Sequence, residues 1–182
     1  MNHANDEQIL HLFHVSGDAG KSFGLLIDTY QRPIYYFVRK MVLDHDDADD
    51  ITQNTFIKAW KAFSGFRGDS KIGTWLYRIA YNESISFINK EKRIGKVRLD
   101  DVEAGLSKSL EADVFYDGDE IHLKLQTALA LLPEKQKAVF IMKYYEEKKY
   151  EEIAEITGTS VGALKASFHF AVKKIEEFIT SH

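Results

Sequence analysis

Between positions 46 and 50 the chain carries Asp46, Asp47, Asp49 and Asp50, a density of carboxylates that in another setting would hold a divalent cation. The remaining ligands of a calcium loop are missing. His11 and His14 would share a face if they lay on a helix, with His3 nearby in sequence, but no third ligand is fixed. The glycines form no phosphate loop followed by Lys and Ser or Thr, and no serine sits in a nucleophile elbow. Cysteine is absent, so disulfides and thiolate metal sites are excluded. Neither catalysis nor a metal or cofactor is expected.

Recognition chemistry is better served. Tyr150 to Gly158, followed by Thr159 to Lys165, has the layout of a helix-turn-helix. It offers a short helix with small Ala154 at the crossing, Gly158 in the turn, Ser160 as a cap, and a second helix buried through Val161, Leu164 and Phe168. If that second helix enters a major groove, Lys165, Ser167 and His169 are its polar candidates, with Lys173 and Lys174 nearer phosphate. The same pattern also serves protein contacts or ordinary helical packing.

Upstream, Asp49, Asp50, Gln53 and Asn54 place acidic and amide groups on an exposed helix side suited to a basic protein surface. Phe56 and Trp60 either anchor such a contact or fill the core. The stretch Ser64 to Ser70 reads as a loop, and Trp75, Tyr77 and Tyr81 follow it. Aromatic faces next to a loop are what an unstacked base requires. Arg67, Lys71, Arg78, Lys90, Lys92, Arg93, Lys96 and Arg98 would supply phosphate contacts, although a cluster of cations is more commonly a solvated surface.

These groups need helices to position them. Phe23, Leu26, Tyr30, Ile34 and Val38 recur at helical spacing from Ala19 to Met41, and Pro33 is expected to bend or divide that helix. Asp44, Asp46 and Asp47 supply caps where the next helix begins. Helical spacing resumes from Ile72 to Ile88 and again from Leu123, with Pro133 placed to start a further helix. Residues 99–119 are polar, with little periodicity, and read as a flexible acidic linker.

The 182 residues accommodate one medium domain or two small ones, and 45% hydrophobic with 29% charged residues is an ordinary globular balance. The net charge of −4 is unevenly placed: basic and acidic residues number 12 and 12 in residues 1–95, 4 and 8 in 96–127, and 8 and 8 in 128–182. Both candidate domains are thus neutral, and the acidic excess lies in the connector, where phosphate would repel it. No apolar run is long enough to span a membrane, and Met1 to Gln8 lack the features of a signal peptide, so a cytoplasmic location is expected.

The segment from Asp47 to Trp60 closely resembles the polymerase-binding helix of region 2 in extracytoplasmic-function sigma factors of the sigma-70 family. Phe66 to Ser70, continuing through Thr74 to Ala80 and Asn82, resembles the promoter-melting and minus-ten part that follows. Leu132, Pro133, Gln136, Val139, Phe140, Tyr144, Glu146, Tyr150 to Ile156, Gly158 and Ser160 to Lys165 resemble region 4. The resemblance implies an all-α protein: a region 2 domain over 1–98, the linker over 99–119 and a helix-turn-helix region 4 domain over 120–182. It also implies an alternative sigma factor that binds core RNA polymerase and promoter DNA and is controlled by an anti-sigma factor. Asp47, Asp50, Gln53, Asn54, Phe56 and Trp60 would then meet the polymerase. Arg67, Lys71, Trp75, Arg78, Asn82, Lys90, Lys92, Arg93, Lys165, Ser167, His169 and Lys173 would meet DNA.

Some positions depart from the family pattern. Asn54 stands where Glu is usual and Tyr81 where Arg is common; Ser167, Phe170 and Val172 stand where many relatives carry Arg. Loss of three arginines from one helix removes base or phosphate contacts. The alternative expectation is therefore a sigma-like regulator whose region 4 mainly binds protein.

Overall fold

A computed structural model describes residues 3–14, 17–42, 44–66, 68–94 and 120–181. The expected linker, Arg67, Lys96 and Arg98 lie outside the described residues. Among these residues the chain is helical throughout, with no strand. The first half comprises α1 (His3–His14), α2 (Ala19–Val42), α3 (His45–Phe63) and α4 (Ile72–Ile94). The second comprises α5 (Glu120–Leu131), α6 (Glu134–Phe140), a π-helical turn at Ile141–Tyr145, α7 (Tyr150–Thr157) and α8 (Val161–Ser181).

Helix α2 runs unbroken through Pro33, so the expected division into two helices does not occur. The proline is exposed, while Tyr30 and Ile34 beside it are buried and hold the helix against its neighbours. A ring that meets solvent and an amide lost on the outer face leave those inner contacts intact. The element that periodicity reading overlooked is α1. Its Ile9 is fully buried, Phe13 packs on Phe63 with ring centroids 4.4 Å apart, and the Ser22 hydroxyl donates to the Ile9 carbonyl at 2.7 Å.

Local chemistry sets the helix boundaries. The Asp44 carboxylate accepts from the Asp47 amide at 3.0 Å and starts α3. Gly158, at φ +69°, takes the left-handed conformation that ends α7, and the Ala163 amide donates to the Ser160 hydroxyl at 3.4 Å as α8 begins. The π turn is followed by Glu147 at φ +50°, a left-handed value unusual for a residue with a side chain. This turn sends Glu146 and Lys148 toward the first half.

The two halves share one contiguous core. Tyr77, Ala80 and Tyr81 of α4 belong to the same buried cluster as Val139, Ile141, Met142, Ile153, Ile156 and Leu164 of the second half. A smaller cluster, with Leu129, Phe140, Ala171 and Ile175, seats α8 on α5 and α6. Replacing Asp44 with Ala should lower folding stability by about 1 kcal/mol, the usual worth of an N-cap, as measured by urea denaturation of the whole chain.

Candidate protein and nucleic-acid interfaces

Helix α3 buries one side and exposes the other. Ala48, Ile51, Thr55, Phe56, Ala59 and Phe63 face the core. Asp49, Asp50, Gln53 and Asn54 are exposed, as are Ile57 and Trp60, so acidic and amide groups adjoin apolar surface on one outward side. Trp60 is 49% exposed and meets Phe23 edge-on at 4.9 Å, whereas Phe56 is only 8% exposed. Phe56 belongs to the buried core cluster and leaves little of its side chain on the outward side. Asp47 is half-buried in the first turn.

Lys71, Trp75, Arg78 and Asn82 follow one another at four, three and four residues, which aligns them along a single face at the start of α4. Trp75 is half-buried, packed 5.0 Å from Phe66 and 6.3 Å from Phe63, so it acts as a strut under the loop. Asn82, Lys90 and Arg93 are exposed, and the Arg93 side chain donates to the Asn89 carbonyl within its own helix at 3.3 Å.

Three other cations of this group are engaged by the second half. The Lys71 ammonium lies 3.3 Å from a Glu152 carboxylate oxygen, Lys92 lies 2.6 Å from Glu134, and Arg78 donates to the Glu155 main-chain carbonyl at 2.9 Å. The Lys92 hydrogen bond holds the Glu134 carboxyl below its ordinary range. For Glu152, burial pushes upward, but the Lys149 amide and Lys71 prevail and the net direction is down. The Lys149 amide donates to Glu152 at 3.0 Å, so this carboxylate caps α7 with one oxygen and reaches α4 with the other. Sequence pattern offered no signal for these contacts, because their partners are from 42 to 81 residues apart.

Beneath the ion pairs, the seam is buried and charged. Tyr77 is fully buried and its hydroxyl donates to Glu146 at 2.7 Å. Burial and the nearby Glu146 carboxylate push the Tyr77 phenol far above its ordinary value. The Lys148 ammonium sits 3.6 Å from the centroid of the Tyr77 ring, and Lys137 donates to the Met41 carbonyl at 3.4 Å. Lys148 is 3% exposed and Lys137 is 6% exposed, and burial pulls each down to about 8.

On α8, Lys165 and His169 are both exposed and lie on one side, four residues apart. The Lys165 ammonium is 5.8 Å from the Tyr150 ring centroid, Ser167 is half-buried, and Lys173 is 3.7 Å from Glu177. Phe170 is 53% exposed, whereas Val172 packs against the smaller cluster. No helix among the described residues is long and apolar enough to cross a membrane.

Residues 26–94 match Sigma-70 region 2, and residues 122–175 match Sigma-70, region 4. The chain is 34% identical over 147 residues to RNA polymerase sigma factor SigV of Bacillus subtilis (strain 168), covering 81% of this chain and 84% of that protein. It is 32% identical over 158 residues to ECF RNA polymerase sigma factor SigW of the same strain, covering 81% and 83%. The chain belongs to the extracytoplasmic-function sigma factors of the sigma-70 family. It is therefore an alternative sigma factor that directs transcription initiation, not an enzyme. Its fold is similar to that of CnrH in complex with the cytosolic domain of CnrY, at a TM-score of 0.71 and 19% identity over 97% of this chain and 98% of that one. It is also similar to RpoE in complex with the anti-sigma factor NepR from Bartonella quintana, at 0.68 and 23% identity over 88% and 98%.

The seam of this sigma factor should respond to pH. Lys137 and Lys148 titrate near 8 when buried and near the ordinary lysine value of 10.5 when released. Between those values the released state binds more protons, so raising the pH favours the packed state; below about 8 both states are protonated and the full burial cost is present. Thermal stability of Lys148→Met relative to wild type should be greatest below pH 8 and shrink toward pH 10, as followed by circular dichroism.

Proposed function

We propose that the outward side of α3 binds core RNA polymerase through Asp50, Gln53, Asn54 and Trp60, with Asp47 supporting its first turn. The reading is supported by the acidic, amide and aromatic groups exposed together on a helix whose opposite side is core. Polar groups around an exposed tryptophan have the composition of a protein contact. The first half then handles the minus-ten strand through the α4 face bearing Lys71, Trp75, Arg78 and Asn82, together with Arg67, and Lys90, Lys92 and Arg93 supply phosphate contacts. In the second half, α7 and α8 form the helix-turn-helix, and Lys165, Ser167, His169 and Lys173 meet the upstream element. The domain division is 1–98, 99–119 and 120–182.

An anti-sigma factor is the regulatory partner in this reading, because two proteins of similar fold are described in complexes of that kind or with a partner's cytosolic domain. Action on RNA polymerase places the chain in the cytoplasm. A second reading gives region 4 mainly a protein-binding role, and one observation favours it: Phe170 projects into solvent from the helix assigned to the groove.

Changing Asp50 and Gln53 together to Ala should weaken association with purified core polymerase at least tenfold while leaving helical content unchanged. Unaltered affinity in a quantitative pull-down would remove α3 as the docking surface. Transcription on matched templates separates the two readings of region 4. Wild-type output should fall when only the upstream element is scrambled, and Lys165→Ala should shrink that difference, since a base contact contributes on the order of 1–3 kcal/mol at its own position. Equal wild-type output from both templates would assign α8 to protein.

A further inference from the structure

Helix α8 presents two neighbouring rows on its outward side. Lys165, His169 and Lys173, four residues apart, form one; Gly162, Ala166 and Phe170, spaced in the same way, form the other and run on to Lys174. All seven are exposed, while Leu164, Ala171 and Ile175 hold the opposite side of the helix in the core. The first row donates hydrogen bonds and carries positive charge. The second has no side-chain donor or acceptor before Lys174, and Phe170 keeps 53% of its surface in solvent.

Nothing among the described residues accounts for the apolar row. Phe170 lies outside both buried clusters, and its ring stands 5.9 Å from that of His169, centroid to centroid. A methyl group at Gly162 would meet no atom within 4 Å, so local packing does not require glycine there. Glycine weakens a helix and suits places where another surface approaches the backbone closely. From Val161 to Lys174 the helix carries three lysines, one histidine and no carboxylate. What covers this side is therefore anionic and also offers apolar points of contact.

Duplex DNA meets both conditions. Its major groove, about 12 Å wide, admits a helix between rims of phosphate, and the thymine C5-methyl is the apolar group on the base edges that line it. The donors and acceptors of other bases, set against a phenyl ring, would lose water without gaining a partner. An apolar side chain in the groove thus selects thymine by what it covers and rejects other bases by what it leaves unsatisfied.

We propose that Phe170 reads the C5-methyl of a thymine in the upstream promoter element, with Ala166 leaving room for the base beside it, while the row of Lys165, His169 and Lys173 supplies polar contacts to the same site. The inference rests on the reading of α8 as a DNA-facing helix, and it names the base feature that the apolar row selects. An arginine at 170 would favour guanine through its O6 and N7; phenylalanine replaces that preference with one for thymine.

Uracil pairs as thymine does but lacks the methyl group, which isolates the contact. Holoenzyme assembled from the full chain and purified core polymerase first selects duplex promoters from a pool randomised across the upstream block. Thymines of the selected element are then replaced by uracil one at a time, and affinity is measured by fluorescence anisotropy. At one position the replacement should weaken wild-type binding about fourfold, the worth of one buried methyl group. Phe170→Ala should bring that ratio close to one, and Phe170→Leu, still apolar and nearly as long, should keep more of it. Because Phe170 lies outside the core clusters, both variants should retain wild-type helical content. An element without thymine, or equal binding of thymine and uracil at every position, overturns the methyl contact while leaving base reading by α8 in place. A ratio that persists in Phe170→Ala belongs to DNA shape or to another residue and overturns the proposal equally. If the pool yields no upstream preference, the DNA reading of α8 fails as well, and Phe170 belongs to a protein contact.

Discussion

Burial of Tyr77 is the constraint around which the two halves are organised. Its ring lies under the Lys148 ammonium, its hydroxyl donates to Glu146, and the ring of Phe37 packs on it with centroids 5.4 Å apart. A phenol with no solvent access requires a partner for its hydroxyl, since an unpaired buried polar group costs about 1–3 kcal/mol. That partner comes from the segment after the π turn. The distorted backbone at Ile141–Tyr145 and the left-handed Glu147 are what deliver Glu146 and Lys148 to α4.

The contacts of the seam do different work. Fully burying an Ile or Met side chain contributes about 1.5–3 kcal/mol, whereas an exposed ion pair contributes about 0–1 kcal/mol. Ile141, Met142 and Ile153, all inaccessible to solvent, therefore dominate its attraction. Lys71–Glu152 and Lys92–Glu134 fix which part of α4 meets which part of α6 and α7. Apolar burial makes docking favourable, and the polar contacts select its register.

Sequence reading succeeded where the determining interactions are local. Capping by Asp44, the left-handed turn at Gly158, the Ser160 cap and the exposed side of α3 all depend on neighbours a few residues away, and pattern reveals them. Helix α1 was missed although Ile9, Leu10 and Phe13 carry a short helical pattern, because twelve residues give periodicity little length in which to repeat. Pro33 misled because propensity penalises it everywhere, while its actual cost depends on which side of the helix it occupies. The seam had no local signature. Lys71 and Lys92 read as free cations until distant carboxylates were placed beside them.

The departures from the family pattern acquire different physical meanings once the seam is described. Tyr81 is 7% exposed, and burial together with Glu134 raises its phenol above the ordinary value, so this position faces a packed, acidic environment. An arginine here would have to leave the seam or bring a permanent charge into it, and tyrosine fits with less cost to the docked state. Val172 likewise belongs to the packing between α8 and its neighbours. Phe170 alone among these three lies mainly in solvent, where it makes the outer side of α8 more apolar without adding to the core. The missing cations at 81 and 172 are consequently tied to how helices pack in this chain, whereas the substitution at 170 changes what α8 presents to another molecule.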